Sequence, residues 1–185
     1  RYNSNLSRTE FKGQKLFDYL PQFKDWLMCA SIDGTGDIVE FIRKGIIWEE
    51  WLKNFKEGLA APGGKDKMWF DLTITGPGMF SIKDLFDLSL ELDVRIETKI
   101  MFAFHPDIIF SPFAWPKHIL LRKIDELLEY MEPLATHKQF TLINTLKEMR
   151  NRPSFEEEYP EQFVQGKKNG KGFQDRLDEI RDEKI

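Results

Sequence analysis

Ser31, Asp33 and Arg43 form the clearest ligand-binding pattern in this chain. Two polar side chains and then Gly34 follow an apolar run, and an arginine comes ten residues after the aspartate. In α/β proteins ligands bind at the carboxyl ends of strands, so Ser31 and Asp33 are predicted to face that crevice. Gly34 and Gly36 let the backbone turn tightly and approach a ligand closely. The plainer interpretation is a strand, a loop and a surface arginine, and spacing by itself leaves both open.

The apolar run at residues 26–30 must position these side chains. Its composition is typical of a strand buried on both faces, as in a parallel sheet. Residues 37–45 are predicted to form a short helical turn that carries the arginine near its end. Two further strands are predicted at residues 68–75 and 94–104, and Thr75 lies at the carboxyl end of the first of these.

Helical periodicity separates and follows these strands. The predicted helices are residues 9–20, 48–59, 81–92, 117–131 and 136–150. Ser81 is predicted as an N-cap, with Asp84 three residues later completing a capping box. Strands that alternate with helices imply right-handed crossovers, so the fold class is α/β with mainly parallel strands, followed by C-terminal helices.

The composition excludes several classes of protein. A net charge of −4 over 185 residues gives no global basic field, so no nucleic-acid partner is expected. No apolar run approaches the length of a membrane span, and no signal peptide opens the sequence, so no membrane partner is expected either. Cys29, the single cysteine, is predicted to be a small buried hydrophobe. One cysteine excludes an internal disulfide, and a reducing, cytoplasmic location is expected.

The segment Ser31-Ile32-Asp33-Gly34, with Arg43 after it, resembles the fifth barrel strand of radical S-adenosylmethionine (radical SAM) enzymes. Many of these enzymes carry Ser-Ile/Leu-Asp-Gly and then an arginine, and the twelve-residue separation of Ser31 and Arg43 is usual among them. The resemblance implies that Ser31 and Arg43 contact the amino-acid end of S-adenosylmethionine, with Asp33 in the same site or bonded to its own turn. A guanidinium pairs with a carboxylate through a fork that lysine cannot reproduce, and a serine hydroxyl can bond the same end.

Asn5 and Thr75 are assigned to the same cofactor site. The turn Ser4-Asn5-Leu6 resembles the end of the preceding barrel strand in the family, where a Thr-Asn-Gly turn is common, although the glycine is absent here. Asn3 and Asn5 are also open to interpretation as plain turn residues. Later matches are residues 147–150, Phe155 and residues 159–161, so the resemblance spans residues 2–162 and is most specific at residues 31–43.

The family's chemistry is reductive cleavage of S-adenosylmethionine, followed by hydrogen abstraction by the 5′-deoxyadenosyl radical. The resemblance implies a 4Fe–4S cluster held by a Cys-x3-Cys-x2-Cys loop, and neither that loop nor a Gly-Gly-Glu motif occurs in this chain. Both are expected upstream, so the chain is interpreted as the later half of a partial (β/α) barrel from a twitch-type member. No cysteine follows Cys29, so an auxiliary cluster is not supported.

The expected partners are the missing N-terminal half of the same protein, or a protein that covers the exposed sheet edge. The expected substrate is a small molecule or a peptide. The alternative function is a non-catalytic α/β binding or assembly module that retains the fold without the cluster.

Three regions are predicted along the chain. Residues 1–112 form the later half of the barrel, residues 113–165 a C-terminal helical extension, and residues 166–185 a flexible basic linker with a short charged helix. The three histidines do not show a metal-site spacing. His105, Pro106 and Asp107 lie on a predicted loop that could hold a metal ion, but no metal ligand is expected in this chain.

Overall fold

The structure, a computed structural model, describes residues 1–102 and 108–181. Its strands are β1 (Tyr2–Ser4), β2 (Glu10–Phe11), β3 (Gln14–Lys15), β4 (Met28–Ile32), β5 (Met68–Ile74) and β6 (Ile96–Ile100). Its α-helices are α1 (Leu16–Tyr19), α2 (Gly36–Ile42), α3 (Trp48–Ala60), α4 (Gly64–Lys67), α5 (Ile82–Glu91), α6 (Lys117–Met131), α7 (Phe140–Asn151), α8 (Phe155–Glu158) and α9 (Pro160–Arg181). Single 3-10 turns lie at Leu20–Gln22, Pro77–Phe80, Ile108–Phe110, Pro112–Ala114 and His137–Gln139.

Strands β1, β4, β5 and β6 form one parallel sheet in that order. The α/β fold with a parallel sheet and C-terminal helices is therefore confirmed. The strands follow one another across the sheet in the order of the sequence. Right-handed crossovers between strands in such an order place their connecting helices on the same face of the sheet.

The two faces of the sheet differ in chemistry. Phe70 lies on the apolar face, where its ring contacts Trp51 and Phe55 of α3 at centroid distances of 5.9 and 4.6 Å. On the same face, the Thr98 hydroxyl shares a hydrogen bond of 2.6 Å with Thr145 of α7. The opposite face is largely polar and carries Cys29, Ser31, Trp69, Asp71, Thr73, Glu97 and Lys99. The helices thus bury one face, and the predicted ligand residue Ser31 belongs to the other.

The predicted helix at residues 9–20 is replaced by a hairpin and a shorter helix. Strands β2 and β3 pair antiparallel, and α1 begins only at Leu16. The two residues between the strands, Lys12 and Gly13, both have positive φ values of 50° and 74°. Two successive residues of positive φ suit the tight two-residue turn of a β-hairpin, and this local turn chemistry outweighs the helical spacing of the apolar residues.

The segment predicted as a flexible linker, residues 166–172, lies inside the continuous helix α9. Gly166 and Gly170 are buried four residues apart, so their missing side chains let one side of the helix pack closely. Lys171 pairs with Asp175 one turn later at 2.9 Å, which supports the same helix. The region boundaries at residues 112 and 165 stay predictions. Residues 105–107 and the end of the predicted charged helix, residues 182–185, lie outside the described part of the chain.

Among the described residues, no helix combines the length and the apolar character needed to cross a membrane.

Gly172→Ala is expected to stabilise α9 by about 0.5–1 kcal/mol. A methyl group at this position would meet no atom within 4 Å, and alanine loses less conformational freedom than glycine in a helix. Backbone amide hydrogen exchange in α9 measures the change. Gly13→Ala is the matched control, because it has equal space but a φ of +74° and should be destabilising. Faster exchange in Gly172→Ala would contradict the helical assignment of this segment.

Candidate functional site

Arg43 and Asp33 form a two-pronged ion pair at the carboxyl edge of the sheet. Asp33 follows β4 and is 5 % exposed, while Arg43 caps the end of α2. Arg43 Nε donates to Asp33 Oδ2, and Arg43 Nη2 donates to Asp33 Oδ1 at 3.0 Å. A guanidinium has five N–H groups, so this pair leaves three of them for another acceptor. Asp33 therefore orients Arg43 and leaves its outer edge available to an anion.

The surroundings of Arg43 stabilise its protonated, positively charged form. The hydrogen bond to Asp33 raises the pKa of Arg43 above its usual value, burial opposes that rise, and the charges of Asp33 and Asp71 add to it. The Arg43 side chain is 30 % exposed, so the remaining N–H groups can still be reached from solvent. The guanidinium is therefore protonated at neutral pH.

Ser31 lies on the polar face beside two residues that sequence analysis missed, Asp71 and Lys99. Ser31 Oγ is 3.5 Å from Asp71 Oδ2, and Lys99 Nζ donates to the same carboxylate oxygen at 2.8 Å. Asp71 is paired directly with Ser31 in the sheet register. A lone aspartate inside the otherwise apolar start of β5 was the available signal, since a buried carboxylate needs partners.

Thr75 shapes the loop beneath the site. Its hydroxyl accepts a hydrogen bond from the Gly78 backbone N–H at 2.9 Å. A Cβ at Gly78 would lie 2.4 Å from the Asp33 carbonyl oxygen and 2.7 Å from Thr75 Oγ1. The loops after β4 and β5 are therefore in contact at Gly78. Thr75 is predicted to contact the cofactor, but in the structure its hydroxyl forms a hydrogen bond within its own loop.

Ser81 joins the same two loops. Its hydroxyl accepts from the Thr35 backbone N–H at 3.2 Å and lies 3.2 Å from the Gly78 carbonyl oxygen, to which it donates. Ser81 does precede α5, as predicted, but its side chain forms no capping hydrogen bond. The predicted capping box with Asp84 is wrong, because the serine hydroxyl holds the two loops together instead.

Asn5 is placed in its own turn. Its Oδ1 accepts hydrogen bonds from the backbone N–H of Ser7 at 3.2 Å and from the Ser7 hydroxyl at 2.9 Å. This geometry corresponds to an asparagine-stabilised turn. The structure brings Ser31, Asp33 and Arg43 into one neighbourhood with Asp71, while the hydrogen bonds of Asn5 stay within residues 5–7.

Helix α2 also lines an apolar groove. It has a volume of about 330 Å³ and is lined by Asp37, Ile38, Phe41, Pro77, Phe80 and Trp115. Phe80 is 62 % exposed, and its ring lies 5.3 Å from that of Trp115. Helix α2 thus contributes residues to this groove, and Arg43 at its end belongs to the charged site, which consists of Ser31, Asp33, Arg43, Asp71 and Lys99.

The single cysteine does not lie in the charged site's hydrogen-bonding network. Cys29 is fully buried, and its sulfur accepts a hydrogen bond from Arg1 Nε at 2.9 Å. Within residues 1–102 and 108–181, no three His, Cys, Asp or Glu side chains are grouped so that they could hold a metal ion.

The N–H groups of Arg43 that Asp33 does not use can donate to an anionic group. The Ser31 hydroxyl lies near the end of β4, the strand that Asp33 follows, and donates to Asp71 Oδ2 at 3.5 Å. A carboxylate fits Arg43 because it accepts two parallel hydrogen bonds from a guanidinium. Comparisons of the chain with protein families, with curated proteins and with solved structures find no match.

Proposed function

We propose that this chain is part of a radical SAM enzyme and contributes one wall of its S-adenosylmethionine site. The observation that carries the proposal is Arg43, which is held by Asp33 at the end of β4 with three N–H groups left for a ligand carboxylate. Ser31 stands on the strand that leads to this pair.

The sheet supports a partial (β/α) barrel. Four parallel strands follow one another in sequence order, and helices α3 and α7 pack on one face. In a barrel that helical face points outward and the opposite face lines the interior. The polar face with Ser31 and Asp71 then becomes the inner wall, and strands expected upstream complete the barrel beside β1.

The residues present fit the amino-acid end of S-adenosylmethionine. Arg43 binds and orients its carboxylate through the donor edge that Asp33 leaves free. Ser31 donates its hydroxyl to the same group. The contact between Gly78 and the Asp33 backbone fixes the loop that carries the aspartate. When bound with a 4Fe–4S cluster, S-adenosylmethionine supplies a 5′-deoxyadenosyl radical that abstracts hydrogen from a substrate.

The cluster needs ligands from another part of the protein. The one cysteine of this chain is buried against Arg1, whereas a 4Fe–4S cluster of this kind takes three thiolates. We place those thiolates in a Cys-x3-Cys-x2-Cys segment upstream, and a small-molecule or peptide substrate on the polar face. The complete enzyme would act in the cytoplasm, where thiols are kept reduced.

The 185-residue chain alone is expected to be colourless after anaerobic treatment with iron and sulfide. One buried thiol cannot hold a 4Fe–4S cluster, so the iron content should stay far below one cluster per chain. Iron analysis and the visible absorption spectrum test this. The control is the protein that also contains the upstream segment, which should turn brown. A brown 185-residue chain with stoichiometric iron would contradict the assignment of the ligands.

The rival function, a binding or assembly module without catalysis, rests on the exposed groove at Phe80 and Trp115. The reading frame upstream of Arg1 separates the two functions. A Cys-x3-Cys-x2-Cys segment there supports the enzyme, and a complete upstream sequence without it favours the binding module.

A further inference from the structure

The charges around Ser31 and Arg43 create a problem for anion binding. Arg43 is already paired with the carboxylate of Asp33, so this pair has no net charge. Asp71 adds a second carboxylate, 3.5 Å from Ser31 Oγ, and its side chain is only 12 % exposed. A ligand carboxylate at Ser31 would therefore approach an unfavourable negative charge, unless another group cancels it.

Lys99 is the group that reaches Asp71. Its Nζ lies 2.8 Å from Asp71 Oδ2, the same oxygen that faces Ser31. Lys99 stands on β6, two residues beyond Glu97, the partner of Asp71 in the sheet register. Glu97 is itself paired with Arg95 at 3.2 Å. The charge of Lys99 is thus directed at Asp71.

We infer that Lys99 is a positioning residue that neutralises Asp71, so that Ser31 and Arg43 can donate hydrogen bonds to the carboxylate of an α-amino acid group. This inference rests on the proposed function, because the ligand is the methionyl end of S-adenosylmethionine. With Lys99 in place the formal charges of Asp33, Arg43, Asp71 and Lys99 sum to zero. Two ion pairs without net charge favour a ligand whose carboxylate is accompanied by positive charge, as the ammonium and sulfonium of S-adenosylmethionine provide, over a simple anion.

The hydroxyl of Ser31 depends on the same ion pair. A carboxylate that is not neutralised attracts the Ser31 proton more strongly, and a hydroxyl that donates to Asp71 cannot donate to the ligand. The short contact from Lys99 competes for Asp71 Oδ2, while the contact from Ser31 is long, at 3.5 Å. In the structure the Ser31 hydroxyl donates this long hydrogen bond to Asp71, and the competing contact from Lys99 makes it easier for a ligand to redirect the Ser31 proton.

The test is a titration of the cluster-loaded protein, containing this chain and the upstream segment, with S-adenosylmethionine. Lys99→Met should weaken binding by about tenfold, a moderate effect because the Lys99 side chain is 53 % exposed and solvent screens its charge. The double variant Lys99→Met/Asp71→Asn should recover most of the affinity, since it removes the charge that lysine had cancelled. Asp71→Asn alone should bind at least as tightly as the wild type.

Lys53→Met is the matched control, because Lys53 also pairs with a carboxylate, Glu57, but stands on the exposed side of α3. It should leave binding unchanged. Wild-type affinity in Lys99→Met would overturn the role of Lys99. So would weakened binding in Lys99→Met that the double variant Lys99→Met/Asp71→Asn does not restore. The proposed function would stand in both cases. Wild-type protein that carries the cluster and does not bind S-adenosylmethionine overturns both. Circular dichroism on every variant separates loss of binding from loss of fold.

Discussion

Arg43→Lys is expected to weaken the binding of S-adenosylmethionine to the cluster-loaded protein by roughly ten- to a hundredfold. Lysine keeps the positive charge that Asp33 needs. However, its ammonium group cannot form two parallel hydrogen bonds to Asp33 and two more to a ligand carboxylate, as a guanidinium can. A charge-assisted hydrogen bond contributes roughly 1.5–3 kcal/mol, which corresponds to that range of affinity. The measurement is isothermal titration calorimetry of the wild type beside the variant.

Two further variants sharpen this prediction. Ser31→Ala should cost less, about 0.5–1.5 kcal/mol, because it removes one neutral hydrogen bond. Asp33→Asn should also weaken binding, since Arg43 loses the carboxylate that orients it. Arg43→Ala is a poorer choice, because it leaves the buried Asp33 carboxylate without its partner and destabilises the fold. Unchanged affinity in Arg43→Lys, with an intact fold, would remove Arg43 from the site.

Gly78→Ala is expected to lower the free energy of unfolding by roughly 3 kcal/mol. The new Cβ would lie 2.4 Å from the Asp33 carbonyl oxygen and 2.7 Å from Thr75 Oγ1. The first of these atoms is backbone and cannot swing aside, so the loops after β4 and β5 must separate. Asp33 would shift with its loop, and we expect weaker ligand binding as well. Urea denaturation followed by circular dichroism measures the loss of stability.

Gly36→Ala is the matched control in the same loop region. Its Cβ would meet no atom within 4 Å, and the expected cost is only about 1–2 kcal/mol for a side chain at a φ of +54°. A Gly78→Ala protein that is no less stable than Gly36→Ala would show that the two loops do not press against each other as the structure has them.

Strands β4 and β5 could be predicted from the sequence because their apolar runs are typical of strands buried in a parallel sheet, whereas β6 (Ile96–Ile100) is shorter than the predicted strand at residues 94–104. The run that contains Met28 and Ala30 is buried, as its composition required, and Lys117–Met131 forms a helix with the predicted bounds. The hairpin at residues 10–15 could not be predicted from apolar spacing, because the backbone conformation of Lys12 and Gly13 decides it. Helix α9 runs through Gly166 and Gly170, which are buried, and composition alone suggested a flexible linker there.

The candidate site was predictable only in part. The types and spacing of Ser31, Asp33 and Arg43 predicted their position at the carboxyl edge of the sheet, where the structure also has them, while their role in binding a ligand stays a prediction. The pairing of Asp33 with Arg43 required the loop and helix α2 to bring the two side chains together, which spacing alone does not fix. Asp71 and Lys99 belong to strands 40 or more residues away from Ser31, so only the sheet register brings them to it.

Release of 5′-deoxyadenosine tests directly whether this chain is part of a radical SAM enzyme. The cluster-loaded protein that contains this chain and the upstream segment is incubated anaerobically with S-adenosylmethionine and dithionite, and the products are quantified by mass spectrometry. We expect 5′-deoxyadenosine and methionine in equal amounts, dependent on the reductant and strongly reduced in Arg43→Lys. Cluster-loaded protein that releases neither product, or an Arg43→Lys variant that releases as much as the wild type, would contradict the proposed function.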